Sequence, residues 1–347
     1  MPGARRSSEG ERSERCWAFA WWVRSSAGTV ELDWLDRARE RNGMGIRIGM
    51  LGCSPGNGHP FSYSAIINGY CYAGLRESGW PVIHDYITCR DPADFGVADL
   101  RVTHAWTQAE EVTQALCRTA DIQHALRHPQ DMLGEVDAVI IARDDVESHR
   151  SLADPFLEAG MPVLIDKPLT LDRRDLDHFT PYLEAGQLMS CSAMRYATEL
   201  DVPRSRLAEY GELKLVCGTI LNDWEKYGIH MLEASLSLVA SRPQSVQPLP
   251  GIHQGVAILL QDGSRITVDA LGSVPPHFEL ALYGSERITR HAITDNFGMF
   301  RRMLWAFAHQ VRGGIPIIDP VNTLDILRTL IAGQEALDSR REVLIHE

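Results

Sequence analysis

A lysine stands where a short apolar run breaks off. Val163-Leu164-Ile165 is followed directly by Asp166-Lys167-Pro168. The run predicts a buried strand, and Pro168, which cannot donate to a sheet ladder, ends it and stiffens the turn. In an open α/β sheet the carboxyl edge of the strands is where ligands bind. Lys167 therefore places an ammonium group at a ligand-binding edge. A second candidate lies at Trp224–Glu233. If that stretch is helical, Lys226 and His230 share a face and Glu233 follows one turn later. Like-charge repulsion from Lys226 would then disfavour the protonated imidazole, which suits His230 to a proton-transfer role. His149 is a third candidate, in the first turn of a helix that begins after Arg143-Asp144-Asp145. Arg143 and Asp144 fall at the same predicted sheet edge as Lys167. Histidines and cysteines lack ligand spacing, so no metal site is expected.

A phosphate-binding turn is the other chemistry in the chain. Ile46–Leu51 reads as a strand running into Gly52-Cys53-Ser54-Pro55-Gly56-Asn57-Gly58-His59-Pro60. Gly52, Gly56 and Gly58 permit close backbone approach, and backbone N–H groups before a helix favour an anion. Ser54 holds the place of the second glycine in GxGxxG, and the loop is longer and more polar than that pattern. Ser54, Asn57 and the three glycines, with Arg143, Asp144, His149, Asp166 and Lys167 at the facing sheet edge, are the candidate cofactor contacts, and the polar run 56–64 is expected to face substrate as well. An acid near the end of the second strand usually holds the adenosine ribose. With that strand expected at Pro81–Ile87, Asp85 and Asp91 are candidates, while Arg90 could accept a 2′-phosphate. The choice between NAD and NADP stays open.

The elements that position these groups follow from pattern. A helix is expected over 62–78, capped by Ser62 and stopped by Gly79. Further strands are expected at Val102–Trp106, Asp137–Ala142 and Pro162–Ile165, with helices at 108–120 and 147–159. Alternating strand and helix predicts a doubly wound parallel sheet. Beyond about residue 190 strands at 213–221, 255–260, 265–271 and 278–283 follow one another, with a hairpin turn at Gln261–Ser264. This predicts an α+β domain with a mostly antiparallel open sheet, closed by helices at 297–311 and 320–338. The expected division is 44–168 for the first domain and 169–347 for the second, with the final helix able to pack back on the first. Residues 1–43 read as an upstream extension, with Trp17, Trp21 and Trp22 as an alternative interaction arm.

Composition bounds the function. The chain has 347 residues, 44% hydrophobic and 23% charged, and a net charge of −12. The acidic balance argues against a nucleic-acid partner. No apolar stretch reaches the length of a membrane span. Seven scattered cysteines without a CxxC pair fit a reducing cytoplasm better than a disulfide framework.

Taken in order, these features resemble the glucose–fructose oxidoreductase / inositol dehydrogenase (Gfo/Idh/MocA) family. The resemblance rests on the strand and glycine turn at 46–58, the VDAVIIA strand with the helix carrying His149, Asp166-Lys167-Pro168 where the family has Glu-Lys-Pro, Gly228-Ile229-His230, and the closing helix from Leu324. It implies an N-terminal Rossmann domain, and a C-terminal domain whose open sheet forms homo-oligomer contacts. It implies NAD or NADP as cofactor and hydride transfer to or from a sugar, cyclitol or related polyol. Lys167 would contact substrate and nicotinamide ribose, His230 would be the general acid/base, and Asp166 would fix the turn. Many members have an aspartate four residues before the histidine, where this chain has Lys226. A lysine there would join the proton relay or pair with an anionic substrate. A bound-cofactor epimerase or lyase, and a non-catalytic cofactor-binding sensor or scaffold, are the alternatives on the same fold.

Overall fold

The computed structural model describes residues 45–346, so the expectation for residues 1–43 lies outside the described residues. The first half is built as β1 (Ile46–Leu51), α1 (His59–Asn68), α2 (Tyr72–Glu77), α3 (Pro81–Thr88), β2 (Leu100–Trp106), α4 (Glu110–Ala120), β3 (His124–Ala125), β4 (Ala138–Ile141), α5 (Val146–Glu158), β5 (Val163–Ile165), α6 (Arg173–Glu184) and β6 (Leu188–Met189). The strands form one sheet in the order β3-β2-β1-β4-β5-β6, and every neighbouring pair is parallel. Every residue of β4 and β5 is buried. That is the consequence of helices on both faces of the sheet, and it explains why these strands read as unbroken apolar runs. The strand order reverses between β1 and β4, which opens the crevice where doubly wound folds bind ligands.

After residue 190 come α7 (Asp201–Ser205), β7 (Leu213–Ile220), a π-helical turn at Trp224–Gly228, α8 (Ile229–Leu236), β8 (Pro243–Leu249), β9 (Gln254–Leu260), β10 (Arg265–Ala270), β11 (Phe278–Gly284), β12 (Ile288–Ala292), α9 (Asn296–Gly313), α10 (Pro320–Ser339) and β13 (Val343–Leu344). The second sheet runs β12-β11-β7-β10-β9-β8-β13. All its pairs are antiparallel except β7 with β10. Burial alternates along β7 and β10, as expected where one face meets helices and the other is left open. Helices α8 and α10 cover the closed face, and α10 also packs on α6 of the first half. The expected α/β architecture with a mostly antiparallel second sheet is therefore what forms, and the β9–β10 hairpin closes at Gln261–Ser264 as expected.

Three local expectations need correction. Pro81–Ile87 is helix α3, not a strand: Pro81 sits at a helix start, where its missing N–H costs nothing, and Ile83 and Ile87 share the buried face one turn apart. The second strand is β2, and it ends at Trp106. The helix expected over 62–78 is two helices; it begins at His59-Pro60 rather than at a Ser62 cap, and Gly69, at φ 81°, breaks it. Finally, β6 belongs to the first sheet, so a division at residue 168 leaves one of that sheet's strands on the other side. A two-residue strand carries no periodicity for a sequence pattern to show.

The second half is pinned at Trp224, which is 1% exposed. Its indole Nε1–H donates to the Leu330 carbonyl at 2.9 Å, and its ring lies against Gly333 of α10, where a Cβ would come within 2.3 Å of it. Gly333→Ala must push the ring or the helix aside, at a cost of about 1–3 kcal/mol. A lower urea midpoint with an unchanged slope would show this; an unchanged midpoint would show that the packing there yields freely.

Candidate functional site

The turn after β1 is tied to three strand ends. Gly52, at φ 82°, takes a conformation open to glycine, and the Arg143 side chain lies where its Cβ would be, at 2.3 Å. Beyond β2, Gln108 accepts from the Cys53 N–H at 3.1 Å and donates to the Cys53 carbonyl at 2.8 Å. Beyond β4, the buried Ser54 hydroxyl donates to the Asp144 carboxylate and accepts from the Asp144 N–H at 3.2 Å. Beyond β5, Asp166 accepts from Asn57 Nδ2 at 2.9 Å, pairs with His59 Nδ1 at 2.5 Å and accepts from the Tyr63 hydroxyl at 3.3 Å.

Asp166 is 4% exposed. Burial pushes its carboxyl pKa up. The charges of His59 and Lys167, with hydrogen bonds from His59 and Asn57, outweigh that and hold it below the ordinary value. Burial and the Asp166 charge raise Tyr63 well above an ordinary phenol, so Tyr63 serves Asp166 as a neutral donor. Phe300 of α9 closes over both rings, with centroids 5.1 Å from His59 and 5.3 Å from Tyr63. His59 falls within the polar run 56–64 expected to face substrate, without being singled out there by itself. Its signal was its place one residue past the last glycine of the turn.

Lys167 is buried, and its ammonium lies 5.8 Å from the Tyr227 ring centroid, over the ring face. Tyr227 in turn packs edge-on against His230 at 5.2 Å. His230 Nδ1 meets the Ser192 hydroxyl at 2.6 Å. Ser192 is fixed from behind, since its backbone N–H donates to Glu233 at 3.3 Å. Glu233 accepts from Arg195 Nε at 2.6 Å. Desolvation raises the buried Glu233, with Arg195 and the Ser192 N–H pulling the other way. His230 is held well below an ordinary histidine, first by burial, then by the charges of Lys167 and His59. Lys167 and His230, from opposite halves of the chain, thus stand in one electrostatic neighbourhood.

The remaining expected residues fall as follows. Lys226 lies exposed on the π-helical turn, and the lysine whose charge acts on His230 is Lys167. Glu233 reaches His230 only through Ser192. His149 is fully buried, its two ring nitrogens 2.8 Å from the carbonyls of Leu169 and Arg143, so it braces the loops after β4 and β5. Arg143 is paired with Asp145. Asp85 is exposed on α3, Asp91 caps a short helical turn through the Ala93 N–H, and Arg90 is bound to Asp295. None of these three stands at the end of β2, where Trp106, Thr107 and Gln108 do.

The turn fits a dinucleotide phosphate. Among the described residues, the N–H groups of Ser54, Gly56 and Gly58 take no acceptor, and Gly56, at φ 82°, has nothing within 4 Å of a built Cβ. The start of α1 offers less than usual. The His59 N–H is taken by Asn57 Oδ1, Pro60 has none, and those of Phe61 and Ser62 go to the Gly58 carbonyl. An anion here would meet the turn more than the helix end.

A Rossmann sheet joined to an open, largely antiparallel sheet, with a lysine and a histidine brought into one electrostatic neighbourhood, defines a protein of Rossmann fold with a second, mostly antiparallel sheet. Residues 87–190 match the model of the GFO_IDH_MocA oxidoreductase family with its NAD-binding Rossmann fold. The segment that carries β4, β5 and the Lys167 turn is thus similar to the Gfo/Idh/MocA family, in line with the sequence resemblance. The match begins at Ile87, downstream of the glycine turn. No curated protein matches the chain in sequence. Among solved structures, scyllo-inositol dehydrogenase from Lactobacillus casei with bound NAD(H) and scyllo-inositol is similar at TM-score 0.68 and 13% identity, over 87% of this chain and 100% of that one. A myo-inositol dehydrogenase from Corynebacterium glutamicum is similar at TM-score 0.67 and 16% identity, over 88% and 100%. Myo-inositol 2-dehydrogenase from Lactobacillus plantarum is similar at 0.69 and 13%, over 87% and 100%.

A carboxyl whose pKa is depressed on folding stabilises the native state above its unfolded value, about 3.9 for aspartate, and that contribution is lost as pH falls from there towards the folded value. Asp166→Asn should therefore destabilise the protein at about pH 7, and the gap to wild type should close as the pH drops below about 4. Urea unfolding across that range measures it. A gap that stays constant would mean that the negative charge of Asp166 contributes nothing.

Proposed function

We propose that the chain is an NAD-dependent dehydrogenase or reductase of a polyol, with cyclitols and sugars as the substrate class. The observation that carries this reading is the approach of Lys167, Tyr227 and His230 at the carboxyl edge of a Rossmann sheet of an NAD-binding family. Ser54, Gly56 and Gly58 would receive the pyrophosphate, beside Gly52, Asn57 and Arg143, with Asp144, His149 and Asp166 shaping the loops around it. The arginine considered for a 2′-phosphate is held by Asp295, which favours NAD over NADP. The bound cofactor supplies the hydride acceptor or donor.

The protein's own part is the proton. His230 Nδ1 faces the Ser192 hydroxyl, and among the described residues nothing takes its Nε2. That nitrogen is free to take the hydroxyl proton of a substrate alcohol as the carbon gives up its hydride. In the reverse direction it returns the proton to the carbonyl oxygen. The depressed pKa keeps His230 neutral, and so able to accept a proton, below the pH at which an ordinary histidine charges. Lys167 would donate a hydrogen bond to the same oxygen and favour the alkoxide-like charge that develops there.

A second copy of the chain would dock on the open face of the second sheet. Leu215, Leu259 and Thr267 share that face, and Leu259 is 36% exposed. Light scattering should find an oligomer that Leu259→Lys shifts towards smaller species; a monomeric wild type would rule this assembly out.

The decisive experiment follows NADH formation with myo-inositol, scyllo-inositol and a monosaccharide panel, alongside NAD titration by protein fluorescence. Lys167→Ala should retain NAD binding and lose about 100-fold or more in kcat/KM, as for removal of one transition-state donor. The acid limb of the wild-type kcat/KM profile should fall below about pH 6.5, the ordinary histidine value. Absent NAD binding, or near-normal turnover by Lys167→Ala, would sink the assignment.

A further inference from the structure

We propose that His59 is a second substrate-contacting group, its Nε2 hydrogen-bonding a hydroxyl other than the one that is oxidised, so that the site selects polyols carrying that second hydroxyl. The inference rests on the polyol reading above and deepens it. Its ground is a symmetry in how two imidazoles are held. His230 has Nδ1 on the Ser192 hydroxyl, and His59 has Nδ1 on the Asp166 carboxylate. Among the described residues neither Nε2 has a partner. Both rings are fixed by aromatic neighbours: Tyr227 and Phe278 for His230, Tyr63 and Phe300 for His59. A chain of contacts joins the two rings: His59 pairs with Asp166, the adjacent Lys167 lies over the Tyr227 ring, and Tyr227 packs on His230, and the charges of His59 and Lys167 both act on His230.

A side chain that served only to satisfy Asp166 could be buried outright. His59 instead keeps 19% of its side chain exposed beside a carboxylate that is 2% exposed. Asp166 already has donors in Asn57, Tyr63 and the Lys167 N–H. A polyol offers hydroxyls on neighbouring carbons, and one hydride transfer uses only one of them. His230 is placed to serve the reacting oxygen, which leaves His59 for another. Fixing the imidazole through Nδ1 determines which nitrogen faces outward, and a fixed polar group rejects a substrate that leaves it unpaired.

The test compares the best polyol with its monodeoxy analogues, using two variants that divide the imidazole. His59→Asn keeps a donor near the Nδ1 position for Asp166 and deletes Nε2. His59→Gln deletes the Nδ1 position and places an amide near Nε2. Wild type should prefer the parent over one particular monodeoxy compound by about 10- to 100-fold in kcat/KM, the worth of one hydrogen bond to a charge-assisted partner. His59→Asn should erase that preference with NAD affinity unchanged, and His59→Gln should retain part of it. If His59→Asn does not fold, a preference reduced but not abolished in His59→Gln, with the parent still oxidised, gives the same support. Equal losses for parent and deoxy compounds in either folded variant would reduce His59 to a brace and overturn the proposal alone. NAD binding by wild type without oxidation of any polyol would overturn the polyol reading and this inference with it.

Discussion

The interior of this protein contains a carboxylate with almost no access to water, and the site is arranged by what that carboxylate requires. Burying an unpaired charge costs several kcal/mol. Asp166 therefore gathers donors from wherever the chain can supply them: Asn57 from the turn after β1, His59 and Tyr63 from α1, and the N–H of Lys167. These groups come from the segments that follow β1 and β5, which are separated in the sheet by β4. The hydrogen bonds thus span the crevice at the strand reversal. They fix the polar turn and the Lys167 turn relative to each other before any ligand arrives.

The second half of the molecule presents a matching device with opposite electrostatics. Glu233 and Arg195 form a buried pair whose function at the site is indirect. Glu233 holds the Ser192 backbone, and the Ser192 hydroxyl holds His230. A hydroxyl against Nδ1 orients the His230 imidazole without adding charge, while the Asp166 carboxylate orients His59. One histidine is thus set beside a charge and the other beside a dipole, and Lys167 lies with them.

Much of this was legible in the sequence because the strongest signals coincide with the strongest physical constraints. Strands β4 and β5 are buried on both faces, so their residues could only be apolar, and Pro168 had to stop the ladder. Gly228-Ile229-His230 and Asp166-Lys167 were visible as chemistry at element ends. What was not legible depended on local ambiguity or on distance. Pro81–Ile87 is a short apolar run that either a strand or a helix can satisfy, and the extra helices α2 and α3 moved the end of β2 far from its usual place. The Lys226–His230 pairing was read from an α-helical template, whereas Trp224–Gly228 is π-helical and the lysine whose charge acts on His230 is Lys167, from the other half of the chain. Glu233's service to Ser192 joins residues 41 apart in the chain, and no local pattern encodes it.

The glycine turn shows how a departure from a familiar pattern can be offset. Replacing the second glycine by Ser54 removes some of the close approach that a bare backbone gives. In exchange the hydroxyl binds Asp144, at the end of β4. Gln108 does the same from the end of β2, and Asp166 from the end of β5. Each strand end that borders the crevice therefore contributes one side chain to the turn. The turn's shape rests on these side-chain bonds as much as on glycine conformations. The N–H groups left without acceptors, at Ser54, Gly56 and Gly58, all lie within the segment so tied. A loop held at three points has little freedom left to lose when a ligand binds, and the ordering cost that a mobile phosphate loop would meet at binding is met here in folding.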